Sequence, residues 1–277
     1  MINATATKDI EGAQFLQWCL SRLQLYWPGY GKARRQVYKR IQKRLHSLGL
    51  ASLTDYPTYL ESHSDEWQRL ECCCWILISR FYRDESVFLF LEQEFVPHFA
   101  RQIYVQGGGA VGCWSLGCAA GEEPDSLSLL WKLRLQDQHP TVRLVILATD
   151  VDEQALAHAQ RGCYRLSRLR DLPQTWRTEG FDQTSEGDRI KLTFRESVTC
   201  VEQDIRQAEP QETFHLILCR YLAFTCFNAP LQSKTLQRTV ARMQTGSALV
   251  VGNRETLPSG EFGPVPWSEK NGVYRRA

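Results

Sequence analysis

Cys113-Trp114-Ser115-Leu116-Gly117-Cys118-Ala119-Ala120-Gly121-Glu122-Glu123-Pro124 decides the fold of this chain. Residues 110–116 form a short apolar run that reads as a buried strand, and residues 124–135 read as a helix. Between them Gly117, Cys118 and Gly121 keep side chains small, so backbone can approach a ligand where a Cβ would block the way or forbid a positive φ. The turn lacks the strict GxGxxG spacing. Glu122 and Glu123 follow it at once, and negative charge at a helix N-terminus repels a pyrophosphate. A dinucleotide is therefore disfavoured, whereas a ligand carrying a cationic sulfonium and an amino group suits the place. For either glutamate taken singly, complementing the helix dipole is an equally good reading.

Working outward, strands are predicted at 142–148, 214–219 and 248–252, with helices at 152–160 and 231–243. This alternation argues for an α/β domain with a parallel sheet and crossover helices. Residues 189–194 and 198–201 read as a small strand pair inserted into it. Asp150 falls at the tip of the second strand, where a carboxylate can accept from both hydroxyls of a ribose. An N-cap role for Asp150 is the alternative, although Asp152 is better placed to cap the next helix. Asp204 and Ile205 follow another strand, and Cys219, Arg220 and Tyr221 close one more. All lie where an open α/β sheet holds its ligand.

Upstream, residues 15–25, 36–48, 56–62, 66–78 and 86–95 read as helices. No acidic residue occurs between Glu11 and Asp55, while Arg22, Lys32, Arg34, Arg35, Lys39, Arg40, Lys43 and Arg44 accumulate. Val37, Ile41, Leu45 and Leu48 make an apolar stripe, leaving the cations outside as a solvated face or as a docking surface for an acidic partner. The 277 residues are 43% hydrophobic and 23% charged, enough for a substantial core. A net charge of +2 gives no bias toward nucleic acid. No apolar run is long enough to span a bilayer and the N-terminus has no signal-peptide pattern, so a cytoplasmic chain without membrane insertion is expected. The ten cysteines show no CxxC spacing and read as reduced, packed thiols, with Cys118 and Cys219 placed where oxidation could reach a pocket. Zinc-type His and Cys spacing is absent, so no metal is expected.

Taken together, several segments resemble one family. Residues 114–124 are similar to the WSAGCSTGEEP motif of the CheR-type chemoreceptor glutamate O-methyltransferases, which use S-adenosyl-L-methionine and release S-adenosyl-L-homocysteine. Phe81-Tyr82-Arg83-Asp84 resembles the family's FFRD, residues 148–152 its ATDID, Gly162-Cys163-Tyr164 its G-x-Y, Cys219-Arg220 the start of its CRN, and residues 272–276 its closing strand. The resemblance runs from about residue 15 to 276. It implies a seven-stranded Rossmann-like methyltransferase sheet over about 86–277, an N-terminal all-helical domain over 1–85, and an inserted antiparallel β subdomain at about 165–202. It further implies a cofactor site drawn from Ser79, Arg83, Gly117, Cys118, Gly121, Glu122 or Glu123, Asp150, Val151, Asp204, Ile205, Cys219 and Arg220. One glutamate would meet the methionyl amino group and Asp150 the ribose. The basic helix would engage an acidic receptor or signalling protein.

Departures from the pattern bear on the substrate. The family's Thr-Thr-Asn becomes Trp75-Ile76-Leu77, its CRN becomes Cys219-Arg220-Tyr221, and its later YF becomes Cys226-Phe227 after one extra residue. Asp125 replaces the tyrosine of EEPY, and Asp204 the asparagine of the NL pair. A glutamate acceptor is already ionised at neutral pH and needs no general base, so alignment and desolvation carry the transfer. Arg83 is the candidate for orienting the carboxylate or the cofactor, with a structural pair to Asp84 or Glu85 as its alternative, and Tyr221 is the second candidate catalytic residue. His98, His139, His158 and His215 are not placed to act as a base. Two other readings remain open: transfer to a small molecule or another side chain, and a non-catalytic sensor of S-adenosylmethionine or S-adenosylhomocysteine.

Overall fold

The computed structural model describes residues 4–76, 79–105, 107–259 and 263–277. Leu77 and Ile78, named above, lie outside the described residues. The chain divides into two compact units, Met1–Leu77 with Thr225–Leu231, and Ile78–Phe224 with Gln232–Ala277.

The first unit is helical: α1 (Ala4–Arg22), α2 (Arg34–Ser47), α3 (Tyr56–Ser62) and α4 (Glu66–Cys74). Val37, Ile41 and Leu45 bury one face of α2, as the stripe predicts. The cations of the basic run that lie on α2 divide into two sets. Arg34 stacks over Trp27 at 3.9 Å, Arg40 donates to the carbonyls of Cys73 and Trp75, and Arg44 makes a forked pair with Glu66 at 2.9 and 2.6 Å. The other set, Arg35, Lys39 and Lys43, recurs every fourth residue and is exposed on α2. The Arg40 bonds lie at the end of α4, which stops at Cys74 and turns extended at Trp75 instead of running on toward residue 78. A distant segment completes this unit: Leu25 bridges Phe227, and the Tyr26 N–H donates to the Cys226 carbonyl at 2.7 Å.

In the second unit α5 (Glu85–Phe90) passes through a widened π turn (Leu91–Phe95) into α6 (Val96–Val105). The helix thus runs ten residues past its expected end. Pro97 has no N–H for the carbonyl four residues back, and the π turn immediately before it absorbs the mismatch. Then follow β1 (Gly109–Leu116), α7 (Glu122–Leu130), β2 (Val142–Asp150), α8 (Glu153–Arg161), β3 (Cys163–Tyr164), α9 (Gln174–Gly180), β4 (Phe181–Thr184), β5 (Gly187–Ile190), β6 (Val198–Glu202), β7 (Phe214–Leu218), α10 (Ala223–Cys226), α11 (Ala229–Ala241), β8 (Met243–Val250), β9 (Val265–Ser268) and β10 (Val273–Arg275), the end of α10 and the start of α11 being counted with the first unit. Seven strands make one sheet in the order β6-β2-β1-β7-β8-β10-β9, and three make a second in the order β3-β5-β4. The first five strands of the large sheet are parallel; β10 runs antiparallel between β8 and β9.

One expected pairing is wrong. Residues 189–194 and 198–201 do not form an inserted hairpin. The stretch 198–202 is β6, the edge of the large sheet, pairing in parallel with β2 from Ile146↔Val198 to Asp150↔Glu202. Residues 187–190 pair instead with β4 and β3 in the small antiparallel sheet. Leu192–Phe194 is a 3-10 turn, so the β-branched run after it serves a different sheet from the one before it.

Strand order reverses at β1, whose neighbours are β2 on one side and β7 on the other. That is the topological switch point where a doubly wound sheet opens a crevice at its carboxyl edge. Trp114, fully buried in β1, donates its indole N–H to Thr149 Oγ1 at 2.9 Å, fixing the tips of β1 and β2 side by side.

Candidate active site

The glycine turn after β1 is pinned from three sides. The Thr149 carbonyl accepts from the N–H groups of Gly117 and Cys118 at 2.8 and 3.0 Å, Asp150 Oδ2 accepts from the Ala119 N–H at 2.7 Å, and the Tyr164 hydroxyl donates to the Ala120 carbonyl at 3.0 Å. Gly121 caps α7 at φ 93°, and a Cβ there would sit 2.9 Å from both the Tyr164 hydroxyl and Ala159 Cβ. The small residues are required by the fold of the turn itself.

Asp150 Oδ1 accepts from the Asp152 N–H at 3.0 Å, so both oxygens are engaged by backbone donors. Burial pushes this carboxyl up from its ordinary value. Asp152 is the N-cap of α8, accepting from Gln154 and Ala155 at 2.9 and 3.1 Å, which settles the capping alternative against Asp150. Val151 joins the two acids. Beyond β6 the Gln203 N–H donates to the Asp150 carbonyl at 2.9 Å, bringing Asp204 and Ile205 beside the tip of β2. Asp204 is chelated by Arg206, Nη2 lying 2.7 Å from Oδ2, and the Ile205 carbonyl accepts from Arg238.

The two glutamates of the motif part company. Glu122 is 1% exposed; among the described residues its oxygens have no hydrogen-bond partner, and Arg168 lies 3.5 Å away. Glu123 stays partly accessible, accepting from Ser115 Oγ at 2.8 Å and from Arg220 Nη1 at 3.0 Å. Arg220 reaches from the tip of β7 and also donates to the Arg83 carbonyl at 2.7 Å and to Asp84 Oδ2 at 2.6 Å. Tyr221 donates its hydroxyl to Asp84 at 2.6 Å and meets Asn253 Oδ1 at 2.9 Å, while the Arg83 guanidinium lies 3.7 Å above its ring.

Burial alone would raise Asp84, but the Tyr221 hydrogen bond and the Arg220 charge hold it below its usual range. Burial and the neighbouring Asp84 push the Tyr221 phenol up, so it stays protonated at neutral pH. Burial lowers Arg83 somewhat without discharging it. Four of the five non-glycine residues with positive φ among the described residues, Tyr82, Asp84, Ala119 and Tyr221, belong to the two segments just described and the glycine turn. Such conformations persist only where surroundings over-determine them, and they gather at functional sites.

Cys219 is wholly buried, its N–H bound to the Val250 carbonyl at 2.8 Å. Cys118 is equally enclosed and burial pushes its thiol far up, the reverse of a reactive thiolate, so the expected oxidation sensitivity finds no support there. The Ser79 carbonyl accepts from Arg168. Cys226 belongs to the segment grouped with the helical unit.

Arg168, Asn253 and Glu255 were not anticipated. Glu255 Oε2 accepts the N–H groups of Tyr221, at 2.8 Å, and of Gly252. A Cβ on Gly252 would fall 2.6 Å from the Tyr221 ring. The signal was present, since 252–255 follows a parallel strand just as 117–121 and 219–221 do.

An accessible carboxylate beside a short, backbone-lined turn, with a second carboxylate at the next strand tip, fits a positively charged nucleoside bearing an amino group. Fold and donor set define an S-adenosylmethionine-dependent methyltransferase. The chain belongs to the CheR methyltransferase family: residues 78–268 match its SAM binding domain and residues 30–71 its all-alpha domain. It is 29% identical to a probable chemotaxis protein methyltransferase of Rhizobium etli, covering 81% of this chain and 85% of that one. Chemotaxis protein methyltransferases of Borreliella burgdorferi and Escherichia coli are 25% and 28% identical, covering 82% and 81% of this chain and 81% and 77% of theirs. Among solved structures, the N-methyltransferase NodS from Bradyrhizobium japonicum, in complex with S-adenosylhomocysteine, aligns at a TM-score of 0.30 and 16% identity over 58% of this chain and 63% of that one. No helix among the described residues is long and apolar enough to cross a membrane.

Proposed function

We propose that this chain is a cytoplasmic protein-glutamate O-methyltransferase acting on an acidic receptor or signalling protein. One observation carries the reading: beside Arg83 the phenol is protonated, and the Asp84 carboxylate is engaged by Tyr221 and Arg220 and held below its usual range, too weak a base to deprotonate an amine or a phenol. An amine or phenol acceptor must lose a proton; a carboxylate must not. Bound in the crevice, S-adenosylmethionine would supply a methyl group already activated by its sulfonium.

The residues of this chain do the rest by position. Asp150 accepts the ribose hydroxyls, and Glu123 accepts the amino group in preference to the buried Glu122. Asp204 and Ile205 flank the base, and Ser79, Gly117, Cys118, Gly121, Val151 and Cys219 shape the walls. Arg83, held over the Tyr221 ring, orients the incoming carboxylate. Arg220 and Asp84 set the height of that platform. The exposed Arg35, Lys39 and Lys43 of α2 attract the acidic partner; the remaining cations of that helix are committed to its own unit.

Calorimetry with S-adenosylhomocysteine, followed by transfer of radiolabelled methyl to receptor fragments, tests this. The expected result is binding, alkali-labile label on glutamate, and loss of transfer in Arg83→Ala with binding retained. Lys39→Glu with Lys43→Glu should raise KM for the protein substrate and leave cofactor binding unchanged. Binding without transfer to any acidic fragment would assign the chain to the sensor reading.

A further inference from the structure

Behind the glycine turn lies a buried pair that the proposed chemistry does not use. Asp125 sits in the first turn of α7 and Tyr164 in β3, each 1% exposed. Tyr164 Oη is 2.8 Å from Asp125 Oδ2 and 3.0 Å from the Ala120 carbonyl. A phenol has one proton, and both neighbours are acceptors while the carboxylate is ionised, so only one of the two bonds can be made. When Asp125 carries a proton it donates to the Tyr164 oxygen, the phenol donates to Ala120, and both bonds are satisfied. Ala120 is part of the turn that Thr149 and Asp150 pin from the opposite side.

We propose that Asp125 is a positioning residue for this turn: its protonated carboxyl, acting through the Tyr164 hydroxyl, holds the Ala120 carbonyl in place, and its ionisation releases that hold and weakens cofactor binding. The inference rests on the cofactor reading above. The charged and titratable groups facing the pair come from every neighbouring element. Arg195, after the 3-10 turn, puts Nε 3.7 Å from Asp125 Oδ1 and caps the end of α8 through the carbonyls of Ala159 and Gln160. Glu122, on the same helix as Asp125, opposes its ionisation and is itself paired with Arg168. Cys200 of β6 lies near with its thiol pushed up, and His158 of α8 meets the Tyr164 ring edge-on at 5.5 Å with its imidazole pushed down by burial. Against the Arg195 charge, burial is the larger influence and pushes the Asp125 carboxyl up to about 7, so both states are populated near neutrality.

The test is the dissociation constant of S-adenosylhomocysteine for the full chain, measured by calorimetry between about pH 5.5 and about pH 8.5. Wild type should weaken by roughly three- to tenfold as pH rises, the worth of one ordinary hydrogen bond. Asp125→Asn, whose amide donates to Tyr164 at every pH, should bind tightly throughout; Tyr164→Phe, which lacks the link, should bind weakly throughout. Both variants should lose the wild-type slope, a result that mere destabilisation would not give. Binding with the same slope in all three proteins overturns this inference and leaves the cofactor reading intact. If Asp125→Asn does not fold, an unchanged slope in Tyr164→Phe overturns it alone. No binding by wild type at either pH removes the cofactor reading and this inference with it.

Discussion

At the scale of single residues, the acids at the strand tips have distinct tasks that the sequence does not separate. Asp150 serves its own loop before it serves any ligand, because the Ala119 N–H at 2.7 Å depends on it. Asp150→Ala therefore removes a proposed ribose acceptor and leaves a strained residue, Ala119 at φ 49°, without its anchor. The dissociation constant of S-adenosylhomocysteine should rise by roughly 10- to 100-fold, the range for hydrogen bonds to a charged group, and calorimetry reads it directly. Glu122 and Glu123 look alike in the sequence, yet one is shut behind Tyr164 and Arg168 and the other is met by Ser115 and Arg220. Their helix positions differ by a single residue, about 100° of rotation, which turns one side chain inward and leaves the other at the opening. Tyr221 shows the reverse case. A left-handed backbone at φ 58° suits asparagine, the family's residue, better than tyrosine, and it is held here by the hydroxyl's bond to Asp84 and the N–H's bond to Glu255.

At the scale of elements, the order of strands and helices around the glycine turn was legible because each fully buried strand is a short apolar run bounded by turn residues. What failed had causes beyond local pattern. An edge strand such as β6 looks the same whether it joins a small sheet or a large one, and only its pairing with β2 decides. The end of α4 depends on Arg40, more than thirty residues upstream, and the length of α5 and α6 on a π turn that leaves no mark in periodicity. The strand tips proposed to hold the cofactor were singled out by the rule that ligands lie beyond strand ends; Asn253 and Glu255 obey the same rule but carry no motif of residue types. Within the helical unit, three helices share one polar junction. Glu66, 4% exposed, accepts from Arg44 at 2.9 and 2.6 Å and from the Tyr56 hydroxyl at 2.6 Å. These bonds outweigh burial and hold its carboxyl below the usual range. Glu66→Gln breaks the pair while burying an amide, and should cost about 3 kcal/mol of stability, read from urea denaturation. The wild-type advantage should be complete above the ordinary glutamate range and fade as pH falls through the lowered value.

For the whole molecule, pH acts on two opposed groups. Glu66 stabilises the folded chain as its carboxyl ionises, whereas Asp125, raised from 3.8 to about 7, favours the folded state when protonated. Its contribution is complete below about 3.8 and is lost as pH rises to about 7. The melting temperature of Asp125→Asn, measured against wild type over that interval, should therefore gain steadily with pH and level off above it. A constant difference across the interval would show that the two states of Asp125 do not differ in folding energy. The connectivity sets a further condition on how such a molecule is made. Leu25 and Tyr26 find their backbone partners at Phe227 and Cys226, two hundred positions later. On a ribosome, the earlier segment must wait for one two hundred residues later to emerge before its hydrogen bonding is complete, so the order of translation is not the order of completion.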